Sequence, residues 1–180
     1  MDIPIRFKIY LFWKNLFSKK EDSPHIKITK EGRGVRSVLF FLPEKKEDAK
    51  IINYFVKVEN PLSEYEIGLI CSEKAKLFYP HVENVSLFTY NDNDLNYFNT
   101  IKSVSLLNEI KIKNYDAIVD LNTSFCAASS MLFFDLDAPL KIGFDSLINK
   151  KIYTITLERK ENAFLESYFS RILSILGVKF

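Results

Sequence analysis

The stretch that decides the fold is NYDAIVDLNTSFCAASSMLFFDLDAPLKIGFDS, residues 114–146. Its first part, YDAIVDL (115–121), is a short apolar run of the kind that forms a strand buried on both faces. TSFCAASSMLFF (123–134) follows, and its small residues predict a helix that can pack closely on a sheet. LKIGF (140–144) predicts the next strand. The order strand, helix, strand indicates a parallel α/β sheet.

The same alternation extends over most of the chain. Apolar runs predict further strands at residues 37–42, 64–71, 84–90 and 151–157, and helical periodicity predicts helices at 46–59, 72–79, 94–113 and 161–176. We therefore predict a Rossmann-like α/β domain of three layers, with a mostly parallel sheet of about six strands. Such sheets bind ligands beyond the carboxyl ends of their strands, where the strand order reverses. We expect the site at the loops after the first and fourth strands, residues 43–48 and 122–125.

The first 36 residues differ from the rest of the chain. Residues 2–20 predict an amphipathic helix. Its broad apolar face consists of Ile5, Ile9, Phe12, Trp13, Leu16 and Phe17. Residues 21–36 are polar and contain Pro24, Gly32 and Gly34, which predicts a linker. The sequence thus predicts a helix and linker arm over residues 1–36 and one α/β domain over residues 37–180.

Composition and charge exclude several classes of function. The chain has 180 residues and a net charge of +2, so its charge predicts no nucleic-acid partner. It has no apolar run of about 18 residues and no secretory cleavage signal, so we expect neither a transmembrane helix nor a leader. His25 and His81 lack metal-ligand spacing, and the glycines form no phosphate-binding motif, so we expect no metal and no cofactor. Cys71 and Cys126 lie in apolar segments and predict buried thiols in a reducing, cytoplasmic compartment.

Several segments together resemble one family. YDAIVDLNTSF, followed by APLKIGFDS, resembles the strand–helix–strand unit of the bacterial heptosyltransferases, glycosyltransferase family 9. HVENVSLFTYND resembles the third strand of that family with its preceding turn, and LESYFSRILSILGV resembles the helix before its interdomain linker. The similarity covers about residues 37–178. It implies one half of a GT-B fold, the N-terminal domain that binds the acceptor, without the C-terminal domain that binds most of the nucleotide-sugar donor.

The resemblance also implies candidate site residues. The loop PEKKED places Asp48 where the family has a general base, with Glu47 in place of a glycine. The alternative is that Asp48 is an ordinary acidic residue in the first turn of a helix. Asn122, Thr123 and Ser124 follow the fourth strand and are candidate ligand-binding residues. The alternative for Asn122 and Thr123 is that they cap the next helix.

Three functions remain open from the sequence. The first is a stand-alone acceptor-side domain that has no transferase activity alone and binds a sugar, a glycolipid intermediate or a protein partner. The second is a transferase of lipopolysaccharide or cell-envelope glycan synthesis, completed by a donor domain that is a separate polypeptide or the downstream part of an interrupted gene.

The third function is that of a scaffold on the inner face of the cytoplasmic membrane. Phe12, Trp13, Phe17 and Lys14 would then contact lipid or a partner. The alternative is that the same apolar helix face packs on the domain or on a second copy of the chain.

Overall fold

The computed structural model describes residues 4–17, 34–56, 65–79, 85–145, 152–159 and 164–177. The helices are α1 (Ile5–Phe17), α2 (Lys46–Val56), α3 (Val104–Ile112), α4 (Ala127–Asp135) and α5 (Leu165–Leu176). The strands are β1 (Ser37–Phe41), β2 (Glu66–Ser72), β3 (Val85–Tyr90), β4 (Ala117–Asp120), β5 (Leu140–Phe144) and β6 (Ile155–Leu157). His25, His81, Pro24 and Gly32 lie outside the described residues.

The strands form one parallel sheet in the order β3-β2-β1-β4-β5-β6. The chain runs outward from β1 to β3, returns to the centre and runs outward again from β4 to β6. The strand order therefore reverses between β1 and β4, which are paired along Val38–Phe41. The predicted α/β class with a mostly parallel, six-stranded Rossmann-like sheet is confirmed.

Alternate residues of each strand supply two cores, one on each face of the sheet. Val38 and Phe40 of β1 point toward α2 and α5, where Ile52 and Ile172 are buried with them. Their neighbours Leu39 and Phe41 belong to a second buried cluster with the apolar residues of α3 and α4. Because both faces of β1 and β4 are covered, these strands read as continuous apolar runs in the sequence.

Two glycines in the middle of strands allow tyrosine side chains to approach the sheet closely. A Cβ atom at Gly68 of β2 would lie 2.2 Å from the Tyr115 hydroxyl oxygen. A Cβ atom at Gly143 of β5 would lie 2.2 Å from Cε2 of Tyr153. A side chain at either position would force the tyrosine to move, so glycine permits this close approach. The space at Gly143 allows the Tyr153 hydroxyl to reach Asp120 at the end of β4.

Three predicted helices are shorter than expected. The helix predicted over residues 123–134 begins only at Ala127. In the predicted helix 94–113, only α3 forms, because the Asn96 side chain accepts hydrogen bonds from the backbone N–H groups of Phe98 and Thr100 (2.9 and 3.1 Å). Such local bonds replace the bonds of a helix. The predicted helix 72–79 is only a 3-10 turn, Lys76–Phe78. Ser72 ends β2 and accepts a bond from the N–H of Lys74 (3.2 Å).

The helix α1 packs on the domain through the face opposite to the one that the sequence favoured. Phe7 and Leu11 are buried against Met131 of α4, and the Tyr10 ring stacks on Phe98 with centroids 4.7 Å apart. Ile5, Ile9, Phe12 and Trp13 are instead between 53% and 74% exposed. The interpretation that this broad apolar face packs on the domain is therefore wrong. The side chains of Leu16 and Phe17 lie outside the described residues.

Candidate functional site

A cleft of about 610 Å³ lies at the carboxyl ends of the central strands. The loops after β1 and β4 form its floor, at the point where the strand order reverses, as the sequence predicts. The start of α1 forms one side. Its lining includes Arg6, Phe7, Glu44, Lys45, Asp48, Lys74, Tyr90, Asp92, Phe98, Asn122, Thr123, Ser124, Phe125 and Cys126.

Asp120, the last residue of β4, is the buried anchor of the floor. Its Oδ1 accepts hydrogen bonds from the backbone N–H and the side-chain amide of Asn122 (2.9 and 2.7 Å). Its Oδ2 accepts bonds from the hydroxyls of Ser129 (2.6 Å) and Tyr153 (2.5 Å). Burial raises the pKa of Asp120, and these hydrogen bonds act against that rise. Four donors therefore satisfy a carboxyl group that lies out of reach of solvent, and they fix the loop after β4.

Asp48 and Thr123 meet across the cleft floor. The Thr123 hydroxyl donates to Oδ2 of Asp48 at 2.5 Å, although the two residues are 75 positions apart in the chain. Asp48 is buried in the first turn of α2. A carboxylate in this position can accept a proton from a ligand hydroxyl, and a helix N-terminus also favours its charge. The catalytic and the structural interpretations of Asp48 thus remain compatible with the same geometry.

The interpretation of Asn122 and Thr123 as helix caps is wrong. The N-cap of α4 is Cys126, and no side-chain hydrogen bond caps this helix. Asn122 instead donates to Asp120, and Thr123 donates to Asp48. The helix α4 begins only at Ala127, so neither Asn122 nor Thr123 is at the position from which an N-cap side chain accepts a backbone N–H. Ser124 is exposed beside them and faces the cleft as a lining residue.

The charges around the cleft nearly balance. Among the described lining residues, the cations are Arg6, Lys45 and Lys74, and the carboxylates are Glu44, Asp48 and Asp92. Lys74 pairs with both carboxylate oxygens of Asp92 at 2.8 Å, and the Arg6 guanidinium lies over the Tyr97 ring, 5.2 Å from its centroid. The Tyr90 hydroxyl donates to Glu44 (3.1 Å). The cleft therefore offers many hydrogen-bonding groups beside aromatic rings, with no excess of positive charge for a phosphate.

The comparisons with known proteins give one informative match. The fold is similar to one half of a glycosyl transferase family 9 structure. "The crystal structure of the glycosyl transferase family 9 from Veillonella parvula DSM 2008" matches with a TM-score of 0.59 and 18% sequence identity, over 84% of this chain and 43% of that chain. This chain thus spans less than half the length of that structure, and the predicted resemblance is confirmed for the fold. No protein-family model and no curated protein matches the sequence.

The cysteines of this family 9-like fold are poor nucleophiles. Cys71 is buried in β2, and Cys126 is partly buried at the edge of the cleft. Burial raises the pKa of both thiols to about 11. Both thiols are free and protonated at neutral pH, so neither supplies a thiolate for covalent chemistry.

Sequence reasoning missed several residues of the site. Tyr153 and Ser129 bind Asp120 but belong to no motif, and Arg6 and Phe7 were assigned to a separate arm. One signal was available for Tyr153. An isolated glycine within a strand, here Gly143, indicates that a bulky group approaches the backbone. The partner that approaches, however, is determined only by the tertiary fold.

The residues predicted to contact a membrane or partner are divided between the two faces of α1. Phe12 and Trp13 are exposed by 63% and 58%. Lys14 forms an ion pair with Asp135 and lies over the Phe134 ring, 5.3 Å from its centroid. It therefore helps to hold α1 on α4. The side chain of Phe17 lies outside the described residues.

Neither a metal-ligand cluster nor a membrane-spanning helix occurs in the described ranges. Within these ranges, no group of three or more His, Cys, Asp and Glu side chains could hold a metal ion. None of the helices described is both long and apolar enough to cross a bilayer.

Proposed function

We propose that this chain is a family 9-like acceptor-side domain that binds a sugar, free or as part of a glycolipid intermediate, and that does not transfer a glycosyl group alone. The observation that carries this proposal is the cleft at the strand-order reversal, with Asp48 and Thr123 joined across its floor. Carboxylate, hydroxyl and amide groups beside aromatic rings suit a ligand with many hydroxyls and apolar ring faces.

The balance of charge supports a neutral sugar rather than a phosphorylated one. Lys74 is already paired with Asp92, and Arg6 lies over an aromatic ring. A phosphate group in the cleft would also approach the carboxylates of Glu44 and Asp48. Like charges in a partly desolvated site repel, so phosphate on the sugar should weaken binding.

The proposal of inactivity rests on the first-strand loop. Asp48 is buried and bonded to Thr123, so a ligand hydroxyl must displace that bond to reach it. Glu47 follows the loop at the position where the resembling family has glycine, and its side chain restricts close backbone approach. The setting that fits the resemblance is lipopolysaccharide or cell-envelope glycan synthesis in a bacterial cytoplasm.

The test is a binding measurement with defined sugars. Neutral mono- and disaccharides, and the same sugars with a phosphate, are titrated and followed by ligand-observed saturation-transfer NMR. We expect binding of at least one neutral sugar and at least tenfold weaker binding to Thr123→Val and Asp48→Asn. Thr156→Val on the edge strand β6 and Asp137→Asn, in a separate cavity at the amino ends of β4 and β5, are matched controls.

Two results would contradict the proposal. If no sugar of the panel binds, or if the control variants weaken binding as much as the cleft variants, the cleft is not the sugar site. If the chain alone binds a nucleotide sugar tightly and transfers its glycosyl group to an acceptor, the proposed inactivity is wrong.

A second candidate is an active transferase whose donor site lies in a further domain, in the same or another polypeptide. The observation that favours it is that the fold corresponds to 43% of the family 9 structure. Radiolabelled nucleotide sugar, incubated with the chain and an extract of the producing organism, distinguishes the two candidates. Label transfer that depends on the chain and is lost in Asp48→Asn favours the transferase.

A further inference from the structure

The outer face of α1 is an exposed apolar surface. We define the outer face as Ile5, Ile9, Phe12 and Trp13, which are exposed by 74%, 53%, 63% and 58%. At 3.6 residues per turn, these four side chains fall within an arc of about 100°, directly opposite Phe7 and Leu11. Apolar side chains exposed singly are ordinary, but a contiguous cluster that includes two aromatic residues marks a surface for contact.

The polar residues of α1 lie beside the outer face. Arg6 and Lys8 are exposed, and their positions in the helix place them on the two opposite flanks of the outer face. The helix sequence IRFKIYLFWKNLF contains no acidic residue. Long cationic side chains beside an apolar stripe can reach lipid headgroups while the stripe enters the acyl boundary. This distribution of charge complements an anionic lipid surface.

The domain holds α1 in position for such a contact. Phe7, Leu11 and Met131 form a buried cluster, the Phe7 ring meets the edge of Phe125 at 4.8 Å, and Lys14 pairs with Asp135. These contacts are on the inner face, and each outer-face side chain stays more than half exposed. A bilayer could therefore contact these exposed surfaces while α1 stays docked, and the helix would not need to fold on binding.

We propose that α1 docks this domain on an anionic lipid bilayer. The helix lies in the plane of the interface, with the outer face in the boundary between headgroups and acyl chains and with Arg6 and Lys8 among the headgroups. None of the four outer-face residues lines the cleft, so the vesicle test does not depend on sugar binding; Arg6, which lines the cleft and flanks the outer face, is left unchanged in every variant.

Trp13 gives a direct measurement, because the chain contains one tryptophan. The full chain is titrated with vesicles of phosphatidylcholine containing phosphatidylglycerol and with vesicles of phosphatidylcholine alone. We expect the Trp13 emission to shift to the blue with anionic vesicles, and lipids brominated near the headgroup to quench it. Salt should weaken the partitioning, and Lys8→Gln should reduce it for anionic vesicles only.

A matched pair of variants locates the contact. Ile9→Ser/Phe12→Ser removes two apolar side chains from the outer face and keeps the Trp13 reporter. Leu77→Ser/Ile112→Ser removes two side chains of similar type and exposure elsewhere on the domain (76% and 79%). We expect the first variant to lower the vesicle partition coefficient at least tenfold and the second to leave it within twofold, with unchanged circular dichroism for both.

Three results would overturn the proposal. The first is unchanged Trp13 emission at high lipid concentration. The second is equal partitioning of the two double variants. The third is the absence of vesicle binding together with a dimer that forms without lipid in sedimentation velocity and dissociates in Ile9→Ser/Phe12→Ser. A second copy of the chain would then cover the outer face.

Discussion

Replacing Phe7 by alanine should detach α1 from the domain, whereas the same change at Phe12 should not. The two phenylalanines belong to one helix, five residues apart, but Phe7 is 1% exposed and Phe12 is 63% exposed. Phe7 contacts the edge of Phe125 and lies in the buried cluster with Leu11 and Met131. The pair therefore tests which face of α1 packs on the domain, because both changes replace the same residue type in the same helix.

The contacts of α1 set the size of the effect. Burial of Phe7 and Leu11 contributes about 1.5–3 kcal/mol each, and the stack of Tyr10 on Phe98 adds about 0.5–1.5 kcal/mol. The exposed ion pair of Lys14 with Asp135 adds at most about 1 kcal/mol. The entropy of ordering the helix opposes this gain. A buried Phe→Ala change costs about 3–5 kcal/mol, which is comparable with the whole net docking free energy.

Hydrogen exchange read by mass spectrometry is the appropriate assay, because detachment of α1 is a local opening. In Phe7→Ala we expect peptides within residues 5–17 to lose their protection while peptides from β1 and β4 keep theirs. In Phe12→Ala we expect the protection of α1 to stay at the wild-type level, with a free energy of unfolding within about 0.5 kcal/mol of wild type. Equal protection of α1 in both variants, or a larger loss in Phe12→Ala, would refute the assigned packing face.

Two further predictions concern buried polar groups. Tyr153→Phe should lower the free energy of unfolding by about 1.5–3 kcal/mol, because the lost hydroxyl donates to the buried Asp120 carboxyl. The control Tyr97→Phe, at a 76% exposed position, should change the free energy of unfolding by less than about 0.5 kcal/mol. Both are measured by urea denaturation, and similar effects of the two changes would contradict the role of Tyr153. Iodoacetamide should alkylate Cys71 and Cys126 at pH 8 at least about 100-fold more slowly in the native protein than in urea. Burial raises the pKa of both thiols to about 11, so roughly 0.1% of each thiol is thiolate at pH 8. The native rate should rise about tenfold per pH unit up to that pKa, and a flat pH profile would show that access alone limits the reaction.

The sheet was predictable from the sequence because its central strands are buried on both faces. Such strands leave continuous apolar runs, and β1, β4 and β5 lie within the predicted ranges 37–42, 115–121 and 140–144. The error at residues 94–113 has a local cause. The Leu and Ile spacing there fits a helix, but Asn96 uses its side chain to bond the backbone of a turn that ends before α3.

The candidate site was predictable only in part. Resemblance placed Asp48 and Thr123 at two loops, and the parallel topology placed those loops side by side. The bond between their side chains depends on the relative position of α2 and the loop after β4, which no local pattern encodes. Tyr153 reaches Asp120 from 33 positions away, through the space that Gly143 leaves open, so it too required the tertiary structure.

The orientation of α1 shows why a single amphipathic face is an incomplete description of a helix. The outer face holds more apolar residues, so burial alone would favour packing it on the domain. The inner face packs instead because Phe125, Phe98 and Met131 offer rings and a flexible thioether to Phe7 and Tyr10 beside the cleft. As a result, α1 lines the cleft with Arg6 and Phe7 and presents its larger apolar face outward.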